Sequence, residues 1–424
     1  MEYYKRIGDE LLKRKLRSSG AVLIEGAKWC GKTSTGLQAA NSVFYLQDPD
    51  KRSMYKKMAD VQPSLLLKGE SPLLLDGWQT IPVLWDAVRF SVDQRQAVGQ
   101  YILTGSATPL RDRQSDEIEH TGTGRISRML MRPMSLWESH HSSGEISLQA
   151  LFDKPQKEIF AENPLTIEDL AYQMCVGGWP GNLFLNKEDA LETAYNYVDE
   201  LIQWDIHRVD GTEKNPDRVR SVLRSYARNI STMTSATTLM KDVRANDISI
   251  TDKTLTAYLT ALRRLFVIED VKAWKPSLRS KSAIRTSNKC HFVDPSIAIA
   301  VLELNPSSLL SDFNLFGYLF EDLCVRDVRV YSQPIRGEVF HYHDSTNLES
   351  DMIIRLNDGR WAAVEVKLGG KEEEVAATNL LKLVKTIDVG QTNSPSFLMI
   401  LTGGQYAYRR ADGVFVVPIG CLKP

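Results

Sequence analysis

The chain has 424 residues, 43% hydrophobic and 25% charged, with 52 Lys and Arg against 53 Asp and Glu for a formal net charge of −1. That length exceeds one ordinary hydrophobic core, so two or three domains are expected, and the composition excludes a disordered or fibrous chain. With no global charge to draw it to nucleic acid, any DNA contact must come from a local basic patch. The five cysteines (Cys30, Cys175, Cys290, Cys324 and Cys421) include no C-x-x-C pair, which argues against a disulfide framework or a structural zinc. The N-terminal segment lacks the apolar stretch of a secretory signal and no apolar run approaches a membrane span, so a cytoplasmic location and no membrane partner are expected.

The first informative element is Gly26-Ala27-Lys28-Trp29-Cys30-Gly31-Lys32-Thr33, a complete G-x-x-x-x-G-K-[ST] loop. Such a loop wraps backbone N–H groups around an anion, so bulky side chains must be absent where it curves. Residues 21–25 read as a buried strand and residues 32–40 as a helix opening at the phosphates, the setting the motif requires. Gly26 to Ser34 are therefore expected to bind ATP or GTP, with Lys32 on the β- and γ-phosphates and the Thr33 hydroxyl on Mg²⁺.

A second strand is expected over residues 42–46, and a third over residues 72–76, ending in Asp76. An apolar strand closing on Asp downstream of a phosphate loop is the pattern in which that carboxylate, with Thr33, orders the Mg²⁺ shell. A fourth, residues 101–106, ends in small polar residues, where Thr104 or Ser106 is the candidate to sense the γ-phosphate. Arg125, flanked by Gly124 and followed by Arg128 and Arg132, is a candidate γ-phosphate partner, because a guanidinium can neutralise phosphoryl charge. Gly77 follows Asp76 where many such hydrolases carry a water-orienting Glu. Binding should survive but turnover should be impaired, unless Glu25, Asp48 or Asp50 substitutes.

The segments GAKWCGKT, LLLDGWQTIPVLWDAVR, YILTGSATP and HTGTGRISRMLMRPMSLWES resemble a large prokaryotic family of AAA-type ATPases that join an N-terminal P-loop domain to a C-terminal domain of unknown function. The resemblance covers essentially the whole chain and points to ATP rather than GTP. It also implies that the position of Gly77 is usually Glu, so this chain departs from the family there.

Residues 139–165 are polar and mixed and read as a boundary. Helical spacing returns at 167–175 and 190–207, then in three short helices at 219–230, 237–243 and 252–265, with a strand at 266–271. Three helices and a strand suit a winged helix-turn-helix, with Asp252 as N-cap of a presumed recognition helix. Arg263, Arg264, Lys275, Arg279, Lys281, Arg285 and Lys289 supply nearby basic charge, leaving DNA contact and plain packing both open.

The last region carries a second signature. A strand at 352–356 opened by Asp351, the turn Asn357-Asp358-Gly359 and a strand at 361–368 bearing Glu365-Val366-Lys367 form an expected hairpin. With Gly359 left-handed in a three-residue loop, Leu356 pairs with Arg360, Asp351 lies opposite Glu365, and Lys367 shares the side of Glu365. This is the D…ExK core of PD-(D/E)xK nucleases, in which the carboxylates Asp351 and Glu365 would hold Mg²⁺ and Lys367 would position water. Glu321, an acid within an apolar helix at 315–328, matches the helix acid such nucleases often contribute.

The expected fold is α/β and multidomain: a P-loop NTPase (AAA-like) parallel sheet over 1–150, a helical lid and winged helix over 151–290, and an α/β nuclease-like domain over 291–424. The expected catalytic residues are Glu321, Asp351, Glu365, Lys367 and Arg125, and the metal ligands Thr33, Asp76, Asp351 and Glu365. Expected ligands are ATP and Mg²⁺, with DNA and a homo-oligomer as partners. Nucleotide state in the first domain would gate DNA engagement or metal-dependent cleavage in the last; the alternative is a nucleotide-binding regulatory or scaffold protein catalytic at neither site.

Overall fold

The computed structural model describes residues 2–105, 121–209, 212–245, 247, 249–276, 287–387 and 393–424. The chain divides into two compact units, Met1–Pro133 with Asp205–Glu213 and Arg264–Phe266, and Met134–Trp204 with Lys214–Arg263 and Val267–Pro424.

The first unit is built on β1 (Ala21–Glu25), β2 (Ser42–Tyr45), β3 (Leu73–Asp76), β4 (Tyr101–Gly105) and β5 (Ile126–Leu130). All pairings are parallel and the order is β2-β3-β4-β1-β5. Strands β1, β3 and β4 are almost unbroken apolar runs because both faces of the sheet are covered. On one face Leu23, Leu75 and Leu103 join Trp78, Trp85 and Val88 in a buried cluster. On the other, the helix Lys32–Leu37 brings Gly36 against Leu74 and Ile102. Strand β4 lies between β3 and β1, with Thr104 level with both Asp76 and Ile24, so the carboxyl ends of the three strands form one edge.

The second unit contains an eight-stranded mixed sheet: β6 (Phe160–Glu162), β7 (Lys272–Ala273), β8 (Gly337–His343), β9 (Glu349–Leu356), β10 (Trp361–Lys367), β11 (Phe397–Thr402), β12 (Tyr406–Arg409) and β13 (Phe415–Pro418). The order is β6-β12-β13-β11-β10-β9-β8-β7, so short segments from the middle of the chain form both edges. The helix Glu373–Thr386 crosses between the parallel strands β10 and β11 and buries Ala376, Leu380 and Leu383 against Ile353, Ala363, Ile400 and Val416. The long helix Phe313–Ser332 packs on β8, β9 and β10.

Hairpin β9–β10 has the register counted from its turn. Gly359 is left-handed at φ 90, the Leu356 N–H donates to Arg360 O at 2.8 Å, and Met352 faces Val364. Just beyond this ladder Asp351 lies near Glu365, its Oδ2 accepting the Val366 N–H at 2.9 Å.

The helices Pro216–Arg228, Ala236–Arg244 and Asp252–Arg264 follow the expected order. The N-cap of the third is Thr251, whose hydroxyl accepts the Thr254 N–H at 3.2 Å; Asp252 is its first helical residue. Antiparallel bridges from Ile268 to Phe292 and Val271 to Lys289 follow. The expected helix over 190–207 closes its α-helical ladder at Glu200 and continues as a wider turn, Leu201–Asp205.

Candidate nucleotide site and a buried acidic cluster

The loop after β1 is shaped by close backbone approaches. A Cβ on Gly26, at φ +153, would stand 2.0 Å from the Met131 carbonyl oxygen, so no other residue fits there without moving β5's end. Arg6 braces the loop from outside, donating to Cys30 O at 2.8 Å and to Arg132 O at 2.9 Å. Ala27 and Cys30 are buried, Lys28 pairs with Asp205, and Trp29 and Ser34 are exposed.

Lys32 is buried and folds over its own loop, its ammonium donating to Gly26 O at 3.0 Å and Ala27 O at 2.6 Å. Burial lowers its pKa. The helix it opens has no side-chain cap, which leaves the first-turn N–H groups for an anion. Beside it, Thr33 Oγ1 and Thr104 Oγ1 both donate to Asp76 Oδ1, each at 2.6 Å. Lys32, Thr33, Thr104 and Asp76 thus meet at one edge, and this donor set fits a magnesium-bound nucleotide.

Gly77 is left-handed at φ +74, and a Cβ there would meet Gln47 Cγ and Nε2 at 2.7 Å. The Gln47 side chain lies where a side chain at position 77 would begin, a residue the sequence reading missed because Gln47 sits far upstream. Two of the acids named as substitutes, Glu25 and Asp48, are otherwise engaged. Glu25 pairs with Arg128 at 3.0 Å, while burial raises its pKa against that partner. Asp48 pairs with Lys51 and accepts the Asp50 N–H.

Arg125 lies elsewhere. It immediately precedes β5, where its carbonyl accepts the Ala21 N–H, and its guanidinium pairs with Asp93 at 2.7 Å. Because β1 and β5 are parallel, the length of β1, roughly 15 Å, separates it from the loop after Glu25. Ser106, Arg279, Lys281 and Arg285 lie outside the described residues.

In the second unit Glu321, Asp351, Glu365 and Lys367 do converge, and Lys289 joins them. Lys289 Nζ lies 2.5 Å from Glu321 Oε1 and 2.9 Å from Asp351 Oδ1. Asp351 Oδ2 accepts the Val366 N–H at 2.9 Å, and Lys367 Nζ sits 3.2 Å from Glu365 Oε2. Among the described residues Glu365 Oε1 and His291 Nε2 are buried without a hydrogen-bond partner, although His291 Nε2 lies 3.8 Å from Glu321 Oε1; His291 Nδ1 pairs with Asp322 Oδ1 at 2.8 Å.

Burial and the charge of Asp351 push Glu321 up to about 8, against the pull of Lys289. Burial and the same neighbour raise Glu365 well above the usual carboxylate range, against Lys367. Burial alone would raise Asp351, but Lys289 and Lys367 hold it low. The carboxyl protons of the cluster therefore belong to Glu321 and Glu365 rather than to Asp351.

Among the described residues no group of three or more His, Cys, Asp or Glu side chains is arranged to hold a metal. The expected metal pair is engaged instead, Asp351 by Lys289 and a backbone N–H, and Glu365 by Lys367. His341 and His343, next to Asp344, contact Ser287 O and Met233 Sδ. The cluster as folded does not fit a divalent ion. Among the described residues all five cysteines are free and buried, and no helix is long and apolar enough to cross a membrane.

Residues 18–140 match the family model of an AAA domain. Residues 167–308 match a domain of unknown function (DUF8612), and residues 316–422 another domain of unknown function (DUF4143). The chain carries an AAA-type P-loop ATPase domain followed by two domains without an assigned role. Solved structures similar to it include a Walker-type ATPase of Pyrococcus abyssi, at 13% identity and TM-score 0.42, covering 70% of this chain and 96% of that one. Another is a signal transduction ATPase with numerous domains and a tetratricopeptide repeat sensor from Pyrococcus horikoshii, at 14% identity and TM-score 0.25, covering 79% of this chain and 49% of that one. No curated protein matches the chain.

Proposed function

We propose that this protein binds Mg-ATP at residues Gly26 to Ser34 and Asp76 and uses its nucleotide state to control engagement of DNA by the second unit. The observation that carries the reading is the shared hold of Thr33 and Thr104 on Asp76 Oδ1, beside the Lys32 ammonium. Lys32 would exchange the Gly26 and Ala27 carbonyls for phosphate oxygens, and Thr33 and Asp76 would hold the magnesium shell. Magnesium would supply charge neutralisation on the phosphates. Turnover should be slow, since Gly77 has no side chain to orient water; the Gln47 carboxamide beside it is the nearest group to take that part.

DNA engagement is supported by the three helices from Pro216 to Arg264 and the antiparallel bridges after them, an arrangement that suits a winged helix. On the third helix Lys253, Thr256 and Thr260 are exposed, whereas Arg263 is tied to Asp270 at 2.8 Å. Metal-dependent cleavage at Glu321, Asp351, Glu365 and Lys367 would require a divalent ion where the cluster does not fit one. A second reading, a nucleotide-dependent regulatory or scaffold protein without catalysis, is favoured by that misfit and by Gly77.

The test is Mg²⁺-dependent ATP binding and turnover, with and without duplex DNA, for the full chain and for Lys32→Ala. Binding lost in Lys32→Ala, with DNA changing turnover or nucleotide affinity severalfold, supports the first reading. Tight binding with no turnover and no response to DNA moves the second ahead. Binding unaffected by Lys32→Ala overturns both.

A further inference from the structure

The acidic cluster of the second unit is deeply buried, and a buried carboxylate without a counter-charge is strongly disfavoured. Glu321, Asp351 and Glu365 are each at most 8% exposed. Two groups offset them. Lys367 stands at the rim, 25% exposed in its side chain, and contacts Glu365. Lys289 is deeper, its side chain 12% exposed, and its ammonium reaches Glu321 and Asp351 at once. The backbone fixes it there, since Val271 and Lys289 exchange two N–H···O bonds of 2.9 and 2.8 Å that anchor the residue bearing the ammonium.

We propose that Lys289 is the resident cation of this cluster: its ammonium bridges Glu321 and Asp351 in the place a divalent metal would need, and the cluster as folded takes no metal. A metal ligated by Asp351 would compete for Oδ1, the oxygen Lys289 already holds, while Oδ2 is committed to the Val366 N–H. An ammonium and a divalent ion within contact distance of the same two oxygens would also repel each other strongly in a buried site. The nuclease-like arrangement of acids is therefore closed by a side chain of its own unit. Removing that side chain should turn it into a divalent-cation site lined by the three acids. This goes beyond the proposed ATP and DNA reading and does not depend on it.

The experiment uses the full chain without nucleotide and Mn²⁺ alone as the probe, with binding followed by electron paramagnetic resonance and stability by thermal unfolding. The native chain should bind no Mn²⁺ that is sensitive to Asp351→Asn, and its melting should not respond to the ion. Lys289→Ala should melt lower by roughly 5–15 °C and recover part of that loss with Mn²⁺. Adding Asp351→Asn to Lys289→Ala should abolish the recovery.

Mn²⁺ bound by the native chain and lost on Asp351→Asn would overturn the proposal, and so would Lys289→Ala melting with the native chain. If Lys289→Ala does not fold, the double variant Lys289→Met with Glu321→Gln, which removes the cation together with one acid, decides the matter. Restored folding supports charge closure; failure to fold overturns it.

Discussion

Thr104 and Asp76 face each other across the parallel strands β4 and β3, joined by a 2.6 Å hydrogen bond from Thr104 Oγ1 to Asp76 Oδ1. Thr33 donates to the same oxygen from the phosphate loop. One carboxylate oxygen thus links the strand that would sense the γ-phosphate to the residue that would hold magnesium. Thr104→Val keeps the shape and removes the donor. ATP turnover is expected to fall roughly tenfold while ATP affinity changes less than about threefold, an effect confined to the reacting state. Steady-state kinetics beside equilibrium binding checks it, and equal loss in both would assign Thr104 to ground-state binding.

Gly77 is required by the backbone as well as by its neighbour. Gly77→Ala places a Cβ at φ +74 and 2.7 Å from Gln47, and is expected to cost about 1–3 kcal/mol. Denaturant melts of Gly77→Ala with and without Gln47→Gly should show part of that loss returned in the double variant. A Glu at position 77 would meet the same strain, so it would not simply add a water-orienting carboxylate.

Gln47 is exposed, so its truncation should leave the fold unchanged. If its carboxamide orients the attacking water, Gln47→Ala lowers kcat by about tenfold or more with ATP affinity preserved. An unchanged kcat would remove it from the reaction.

Glu321 predicts a pH dependence of known sign. Its carboxyl is pushed up to about 8 in the folded chain, from a usual value of 4.5. Between those values the unfolded chain has released this proton and the folded chain keeps it, so stability should fall as pH rises through the window, by at most about 1.4 kcal/mol per pH unit. Buried His291, held well below its usual 6.5, acts oppositely on the acid side, since the unfolded chain gains a proton there. The difference between the native chain and Glu321→Gln therefore isolates the carboxyl: the variant should gain relative stability from pH 4.5 to 8 and run parallel above. Parallel curves throughout would contradict the assignment.

Arg326 holds two buried carboxylates, Asp294 at 2.8 Å and Asp327 at 2.7 Å. Asp294 also accepts the Gly178 N–H and Asp327 the Leu136 N–H, so the guanidinium ties distant segments of the second unit together. Arg326→Met would leave both acids buried without a cation and is expected to cost about 3–5 kcal/mol in chemical denaturation. A cost below about 1 kcal/mol would mean the acids take up protons without penalty.

Local chemistry made much of this molecule legible in the chain. The phosphate loop, the strand ending in Asp76 and the hairpin of Asp351 and Glu365 depend on spacing within a strand or turn, which the two-residue strand period and a left-handed Gly359 determine. Other features depend on residues far apart in sequence. Nothing around Gln47 shows that it fills the space beside Gly77, and nothing around Lys289 distinguishes it from the other basic residues near it. Arg125 looked like a phosphate partner from its glycines, yet parallel pairing of β5 with β1 places it at the other end of the sheet. The sequence by itself therefore determined which local groups can bind phosphate or carry charge. Only the tertiary structure decided which groups meet, because strand order and long-range packing bring Lys289 between two acids and Gln47 over a glycine.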